Sequence, residues 1–118
     1  MDRVSPLAQA DAEAYSEVLR ASAAERGVAL GRASEVPLAV AEAARATSEL
    51  GTELSAAGDP KLRGEAIAAA ILGEAAARVA AVLVEMNLAS DPGDARIRRA
   101  REHAEAAQHA ARRAAEGR

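Results

Sequence analysis

Alanine is the most abundant residue in this sequence, at 35 of 118 residues, and this abundance limits the folds that the chain can adopt. The larger apolar residues number 24, and Tyr15 is the single aromatic residue. Alanine is the best helix former, whereas strands favour the β-branched and aromatic residues that are scarce here. An alanine side chain buries little area, so the core must be thin and formed by closely packed helices. We therefore predict an all-α fold, a multihelical bundle in one domain over residues 1–118.

The residue types that are missing exclude several classes of protein. The sequence has no cysteine, which excludes disulfide scaffolds, thiol catalysis and zinc–thiolate sites. With one aromatic residue it also lacks the rings of a base-stacking platform for single-stranded nucleic acid. His103 and His109 are six residues apart. That separation is about 240° around a helix, so the two rings do not face one metal ion and we expect none.

Charge is distributed unevenly along the chain. Residues 1–93 hold 14 acidic and 8 basic residues, whereas residues 94–118 hold 7 arginines and 4 acidic residues. Glu102 and Glu105 lie among those arginines, which favours a solvated, ion-paired helix face over a nucleic-acid surface. We expect no nucleic-acid partner.

The most apolar segment, Ala66–Leu88, raises the question of a membrane span. It is rich in alanine and contains Glu74, Arg78 and Glu85, so a buried helix fits better than a span. The first residues, Met1–Pro6, lack the apolar run of a signal peptide. We expect a soluble, cytoplasmic protein without a membrane partner.

Proline and glycine divide the chain into four main predicted helices, over about residues 6–25, 28–57, 60–88 and 94–115. Asp59 precedes Pro60, the order typical of an N-cap followed by the first helical position. Asp94 is predicted to cap the last helix in the same way. Gly58 is predicted to end the second helix in the left-handed conformation. The third helix is apolar on nearly every face, which predicts a central position in the bundle.

Pro37 lies inside the second predicted helix, where proline removes one backbone hydrogen bond and clashes with the preceding turn. Two arrangements fit this position. Either the helix bends at Pro37, or Ser34 caps a new helix that has Pro37 in its first turn. We predict one long, bent helix.

Four short segments occur in an order and spacing that resemble a known family. They are residues 11–15 (Asp-Ala-Glu-Ala-Tyr), 35–38 (Glu-Val-Pro-Leu), 58–60 (Gly-Asp-Pro) and 86–88 (Met-Asn-Leu). Over most of residues 10–90 the chain resembles the cyclodeaminase domain of formiminotransferase-cyclodeaminase and the related methenyltetrahydrofolate cyclohydrolases. Asp59 stands where the family has asparagine, and Glu65 where it has aspartate. The Gly-rich opening of the family has no counterpart, so the resemblance is to the C-terminal portion of that domain.

The resemblance implies an interlocked helical homodimer that takes a tetrahydrofolate derivative as its substrate. Members of the family cyclise formiminotetrahydrofolate with loss of ammonia, or open the methenyl ring with water. Without the Gly-rich segment this chain is either a truncated or degenerate relative, so whether it is an enzyme stays open. The alternative is a non-catalytic helical module for dimerisation or for docking on a partner.

Charged residues cluster at the start of the third predicted helix. A helix N-terminus carries free N–H groups and a partial positive charge. With Lys61 and Arg63 it could hold the glutamate tail of a folate, while Asp59 fixes the turn. Glu65 is then the candidate for moving protons. The alternative for these residues is a cap followed by a solvated first turn.

Asp11 and Tyr15 are four residues apart and share one helix face. They are further candidates for catalysis, with Tyr15 stacking on a pterin, although a lone tyrosine at helical spacing is more often a core residue. Asn87 is a candidate for folate binding, or a plain residue at a helix end. It lies 22 residues after Glu65, about 33 Å along one helix. Only an antiparallel partner subunit could bring these two residues together.

Overall fold

The computed structural model describes residues 4–20 and 23–117, and these residues form five α-helices without any strand. The helices are α1 (Val4–Arg20), α2 (Ala23–Ala33), α3 (Glu35–Ala57), α4 (Arg63–Asn87) and α5 (Ala95–Glu116), with a 3₁₀ turn at Pro60–Leu62 before α4. The prediction of an all-α bundle is confirmed. The places where the helices divide differ from the prediction in the first half of the chain.

The single bent helix predicted over residues 28–57 is wrong. The chain divides at Ser34, between α2 and α3, and Pro37 is the third residue of α3. Proline is tolerated there because the first N–H groups of a helix have no partner within it. Ser34 is buried, and its hydroxyl donates to the carbonyl oxygen of Leu30 at 2.9 Å instead of capping α3. Gly27, which falls between the helices predicted over residues 6–25 and 28–57, lies inside α2.

Aspartate caps begin the next two helical segments, as predicted. The Asp59 carboxylate accepts from the N–H of Lys61, and the Asp94 carboxylate accepts from the N–H of Arg96, each at 2.9 Å. The left-handed conformation predicted for Gly58 is wrong, since its backbone is extended at φ −87° and ψ −177°. Glycine is needed there for space, because a Cβ would lie 2.5 Å from the carbonyl oxygen of Leu54.

Helices α3, α4 and α5 pack side by side, and α1 and α2 pack against each other and against α3. The described chain is long and flat, with extents of 55 × 28 × 13 Å. Its radius of gyration is 16.2 Å, whereas a compact chain of this length has about 13.5 Å. A flat arrangement of so few helices leaves each of them with an uncovered side.

The core is made mostly of alanine, as the composition predicts. Its larger buried apolar side chains are Leu38, Val84, Leu88 and Ile97, which form one cluster between α3, α4 and α5. Helix α4, predicted to be central, contacts both α3 and α5 but is not covered on every side. One side packs against α3 and α5, whereas Leu72 on the opposite side is 69% exposed.

Two glycines allow the backbones of α3 and α4 to touch. A Cβ on Gly51 would lie 2.6 Å from the carbonyl oxygen of Ala66. A Cβ on Gly73 would lie 2.8 Å from the carbonyl oxygen of Ala44. The two helices therefore meet at a distance that no larger residue at either glycine would permit.

One helical segment of the described residues, Pro60–Asn87, is long and apolar enough to cross a membrane by length and composition alone. About 33% of its most apolar window is buried inside the protein. The buried part is the side of α4 that contacts α3 and α5. Length and composition do not distinguish a membrane span from a bundle helix with an uncovered apolar side.

Candidate functional site

An apolar groove lies between α1, α3 and α4, with a volume of about 450 Å³. Its floor and walls include Val36, Pro37 and Val40 from α3 and Val79 and Leu83 from α4. Asp11 of α1 is the charged residue among those that line it. This is the size and character of a small-molecule pocket, which is concave and mostly apolar with few polar groups.

The two site residues predicted on α1 have different positions relative to this groove. Asp11 lines it, whereas Tyr15 does not and is 62% exposed. The core position favoured for Tyr15 is therefore wrong. The inner side of α1 is formed instead by Ala14, which packs against Ala29 and Ala33 of α2. Tyr15 follows Ala14 by about 100° around the helix, which turns the ring away from that contact.

The predicted cluster at the start of α4 is present as a set of charged side chains around a helix N-terminus. Asp59, Lys61 and Glu65 are exposed. Arg63 is partly buried, and its Nε has no hydrogen-bond partner among the described residues. A Cβ on Gly117 would lie 3.7 Å from Nη2 of Arg63, so the guanidinium reaches the end of α5. Two cations beside free N–H groups can attract an anion.

The structure does not bring all the predicted residues together within one chain. Glu65 and Asn87 lie at opposite ends of α4, about 33 Å apart along the helix. Leu83, at the wall of the groove, is about 27 Å from Glu65 by the same helical rise. The groove spans Ala75 to Leu83 on α4, so Asp11 lies beside the second half of this helix, between the charged cluster at its start and Asn87 at its end.

Several arginines of α5 form ion pairs, among them Arg96, Arg98 and Arg101. Arg96 binds the Asp94 carboxylate at 2.8 Å, Glu35 at 3.2 Å and the carbonyl oxygen of Gly31 at 2.6 Å. Its guanidinium hydrogen bond lowers the pKa of Asp94 from 3.8 to about 2. Arg101 contacts Glu85 of α4 across the helix interface. These contacts connect α5 to α3, to α4 and to the end of α2.

A second, polar groove of about 510 Å³ lies between α3 and α5. Arg45 of α3 lies 3.4 Å from Nδ1 of His103 and binds Glu49 at 3.3 Å. His109 also lines this groove. The described residues contain no group of three or more His, Cys, Asp or Glu side chains that could hold a metal ion. Acidic and basic groups alternate here, so the groove does not favour one class of ligand.

Sequence reasoning missed the groove between α1, α3 and α4. Its lining residues come from three segments that are far apart in the chain, and neither Val36 nor Val79 carries a polar group that would draw attention. The one usable signal was Pro37. Its restricted backbone lies in the first turn of α3, where Pro37 lines the groove together with residues of α1.

These features define a helical bundle with an apolar groove and a separate cluster of charged residues at the start of α4. The sequence model of one family, described as formiminotransferase-cyclodeaminase, matches residues 1–108. The chain belongs to this family. Searches of curated proteins and of solved structures gave no significant match.

Proposed function

We propose that this protein binds a tetrahydrofolate derivative and acts in one-carbon metabolism, either as a cyclodeaminase or as a cyclohydrolase. The observation that carries the proposal is the family match over nearly the whole chain. The groove and the cationic start of α4 support it, since a folate has an apolar ring system at one end and carboxylates at the other.

The groove suits the pterin end of such a ligand. Its walls are almost entirely apolar, and a flat ring system gains affinity by leaving water for such walls. Asp11 provides a carboxylate at the same place, which can accept two adjacent N–H groups from the edge of the pterin. Tyr15, one turn further along α1, is then the candidate for stacking on the part of the ring outside the groove.

The start of α4 suits the glutamate end. Lys61 and Arg63 supply positive charge, and the first N–H groups of the helix add a partial positive charge. Asp59 works against this, because at an effective dielectric of about 20 a like charge 4 Å away costs about 4 kcal/mol before screening. A penalty of that size equals the whole free energy of millimolar binding, about 4 kcal/mol, so we expect weak binding.

We assign proton transfer to Glu65 of the partner subunit in the homodimer, because Glu65 of the same chain lies about 15 Å along α4 from Ala75, the nearest groove residue of that helix. In the cyclodeaminase reaction, N10 attacks the carbon of the protonated formimino group, and a C–N bond forms. The bond from that carbon to its amino nitrogen then breaks, and ammonia leaves. The proton lost by N10 must reach the departing nitrogen, and a carboxylate near both atoms can carry it. In the cyclohydrolase reaction the same carboxylate would take a proton from the attacking water.

The proposal includes a homodimer and a cytoplasmic location, with no membrane or nucleic-acid partner. The thin alanine core supports dimerisation, since a small chain with little buried area gains stability from association. The absence of cysteine is compatible with a reducing compartment.

Calorimetry with folic acid tests the binding part of this proposal. We expect a saturable heat for the wild-type chain and at least tenfold weaker binding for Asp11→Asn, which loses a charged acceptor. Asp91→Asn is the matched control, because Asp91 is exposed in the turn between α4 and α5. If the wild-type chain gives no heat at millimolar ligand, the folate function is rejected in favour of a non-catalytic assembly module.

A further inference from the structure

Helix α1 forms one wall of the apolar groove, yet its contact with the bundle is slight. Its Leu7, Ala8 and Asp11 line the groove. Among residues 5–16 of this helix none is buried, and two of them, Leu7 and Ala14, are partly buried. Helices α3, α4 and α5 each bury six or seven residues instead. These three helices therefore have a core to which α1 adds little.

No polar contact joins residues 5–16 of α1 to the other helices. The side-chain hydrogen bonds of these residues stay within α1: Gln9 donates to Glu13 at 3.4 Å, and the Ser16 hydroxyl donates to a carbonyl oxygen of the preceding turn at 3.1 Å. Helix α2 differs, because Arg96 of α5 donates to one of its carbonyl oxygens at 2.6 Å. Apolar contact alone therefore holds this part of α1 in place.

Leu7 is the larger of the two partly buried side chains of α1, and open space lies on both sides of it. On one side is the apolar groove, which Ala8 and Asp11 also line. On the other side is a second pocket of about 450 Å³ between α1 and α3, which Pro6 and Ala10 line together with Leu7. Helix α1 thus rests on α3 along a narrow line, with Leu7 as its main apolar contact.

The second partly buried residue, Ala14, connects α1 to α2. It packs against Ala29 and Ala33 of that helix. Ala14 follows Leu7 by seven residues, which is about 10 Å along α1. When Leu7 leaves α3, α1 can rotate about the Ala14 contact and remain packed on α2. The end of α1 that carries Leu7 is therefore the end that is free to move.

We propose that α1 is a movable lid on the groove, which opens when Leu7 leaves α3 and which a bound ligand holds closed. Asp11 moves with this lid, whereas Val79 and Leu83 stay with α4. A ligand that contacts both Asp11 and the α4 wall binds the closed form better, and such a difference in affinity shifts the equilibrium towards it. The identity of the ligand rests on the proposed function, whereas the motion of α1 does not.

Distances between paired nitroxide labels read this motion directly, because the natural chain has no cysteine. The double variant Ser5→Cys/Arg78→Cys places one label at the free end of α1 and the other beside Val79, and both labelled residues are exposed. An excess of unlabelled chain restricts the measurement to distances within one chain. The closed lid should give a shorter distance and the open lid a longer one. The pair Arg78→Cys/Arg99→Cys, between α4 and α5, is the control and should give one distance.

Leu7→Ala in the labelled chain should raise the ratio of open to closed lid about fivefold, because it removes the main apolar contact of α1. Leu54→Ala is the matched control, since Leu54 of α3 is 53% exposed and does not line the groove. Helical circular dichroism should be the same in both variants. Unchanged distances in Leu7→Ala would overturn the lid. A loss of helix equivalent to α1 would also overturn it, because α1 would then unfold instead of moving.

Folic acid tests the closing of the lid. At millimolar folic acid the shorter distance should increase at the expense of the longer one, and Asp11→Asn should show less closing at equal occupancy. Equal closing in Asp11→Asn, or heat of binding with unchanged distances, would overturn the ligand-held lid and leave the folate function supported. A lid that Leu7→Ala opens, in a chain that gives no heat with folic acid, would reject the folate function and leave the motion of α1 supported.

Discussion

The buried hydroxyl of Ser48 donates a hydrogen bond to the carbonyl oxygen of Ala70, with 2.7 Å between the two oxygen atoms, and so joins α3 to α4. Gly73 gives this hydroxyl its space, because a Cβ there would lie 2.5 Å from Ser48 Oγ. This hydrogen bond lies within an alanine-rich interface. It fixes the position of α3 relative to α4 along the helix axes.

Ser48→Ala should lower the free energy of unfolding by about 1 kcal/mol, the usual contribution of a buried hydrogen bond. Thr47→Ala is the matched control, because the exposed Thr47 hydroxyl bonds to Ala43 within its own helix at 3.0 Å. That change should stay within about 0.5 kcal/mol. Urea denaturation followed by circular dichroism measures both. Equal losses in the two variants would show that the bond to Ala70 contributes nothing specific.

Gly51→Ala and Gly64→Ala should have opposite effects on stability. A Cβ on Gly51 would lie 2.6 Å from the Ala66 carbonyl oxygen and 2.8 Å from the Ala70 nitrogen. Backbone atoms cannot rotate away, so this change should destabilise the fold by about 1–3 kcal/mol. A Cβ on Gly64 meets nothing within 4 Å, and alanine there should stabilise α4 by about 0.5–1 kcal/mol. Thermal unfolding of both variants provides the comparison.

The Asp94 carboxylate should make stability depend on pH in acid. Its pKa is about 2 in the folded chain, below the ordinary value of 3.8, because Arg96 hydrogen-bonds the charged form. A lowered pKa means that the stabilisation is complete above about pH 4 and is lost as the pH falls towards 2. Asp94→Asn should therefore melt at a lower temperature than wild type at pH 7, and the difference should shrink at pH 2.

Asp91→Asn is the control for that series, and its melting temperature should differ little from wild type at either pH. A constant difference between Asp94→Asn and wild type from pH 7 to pH 2 would contradict the role given to the Asp94 charge.

Asp59→Asn should strengthen folic acid binding. The amide keeps a cap oxygen for the N–H of Lys61 but removes the negative charge beside the site proposed for the glutamate tail. Removing part of a repulsion of about 4 kcal/mol should lower Kd at least tenfold. Calorimetry measures this, with Asp91→Asn as the control for a loss of charge elsewhere. Unchanged affinity would place the glutamate tail away from α4.

Local signals in the sequence were sufficient for the two aspartate caps and insufficient for the Gly58 conformation and the break near Pro37. A cap depends on one side chain and the two or three residues after it, so Asp59 and Asp94 could be placed correctly. The residues around Pro37 fit both a bend inside one helix and the first turn of a new helix, so the local sequence does not distinguish the two arrangements. The break between α2 and α3 at Ser34 depends on how these two helices pack, and a local sequence pattern gives no information on that packing.

The candidate site was predicted only where its residues are close in sequence. The charged start of α4 is a single turn, so its members could be found together. Tyr15 was misplaced because its exposure depends on how α1 lies on α2. The groove joins Asp11, Pro37 and Val79, and no spacing rule connects three segments separated by so many residues.

The alanine core has a consequence for how this protein can be studied and varied. Among the described residues, 14 of the 18 buried apolar side chains are already alanine. Alanine scanning, the usual way to rank interior side chains, therefore has nothing to remove at most of these positions. Random mutation is limited in the same way, since nearly every substitution of a buried alanine gives a larger side chain. Substitutions at these positions therefore enlarge the side chain, and each of them must increase the distance between two helices.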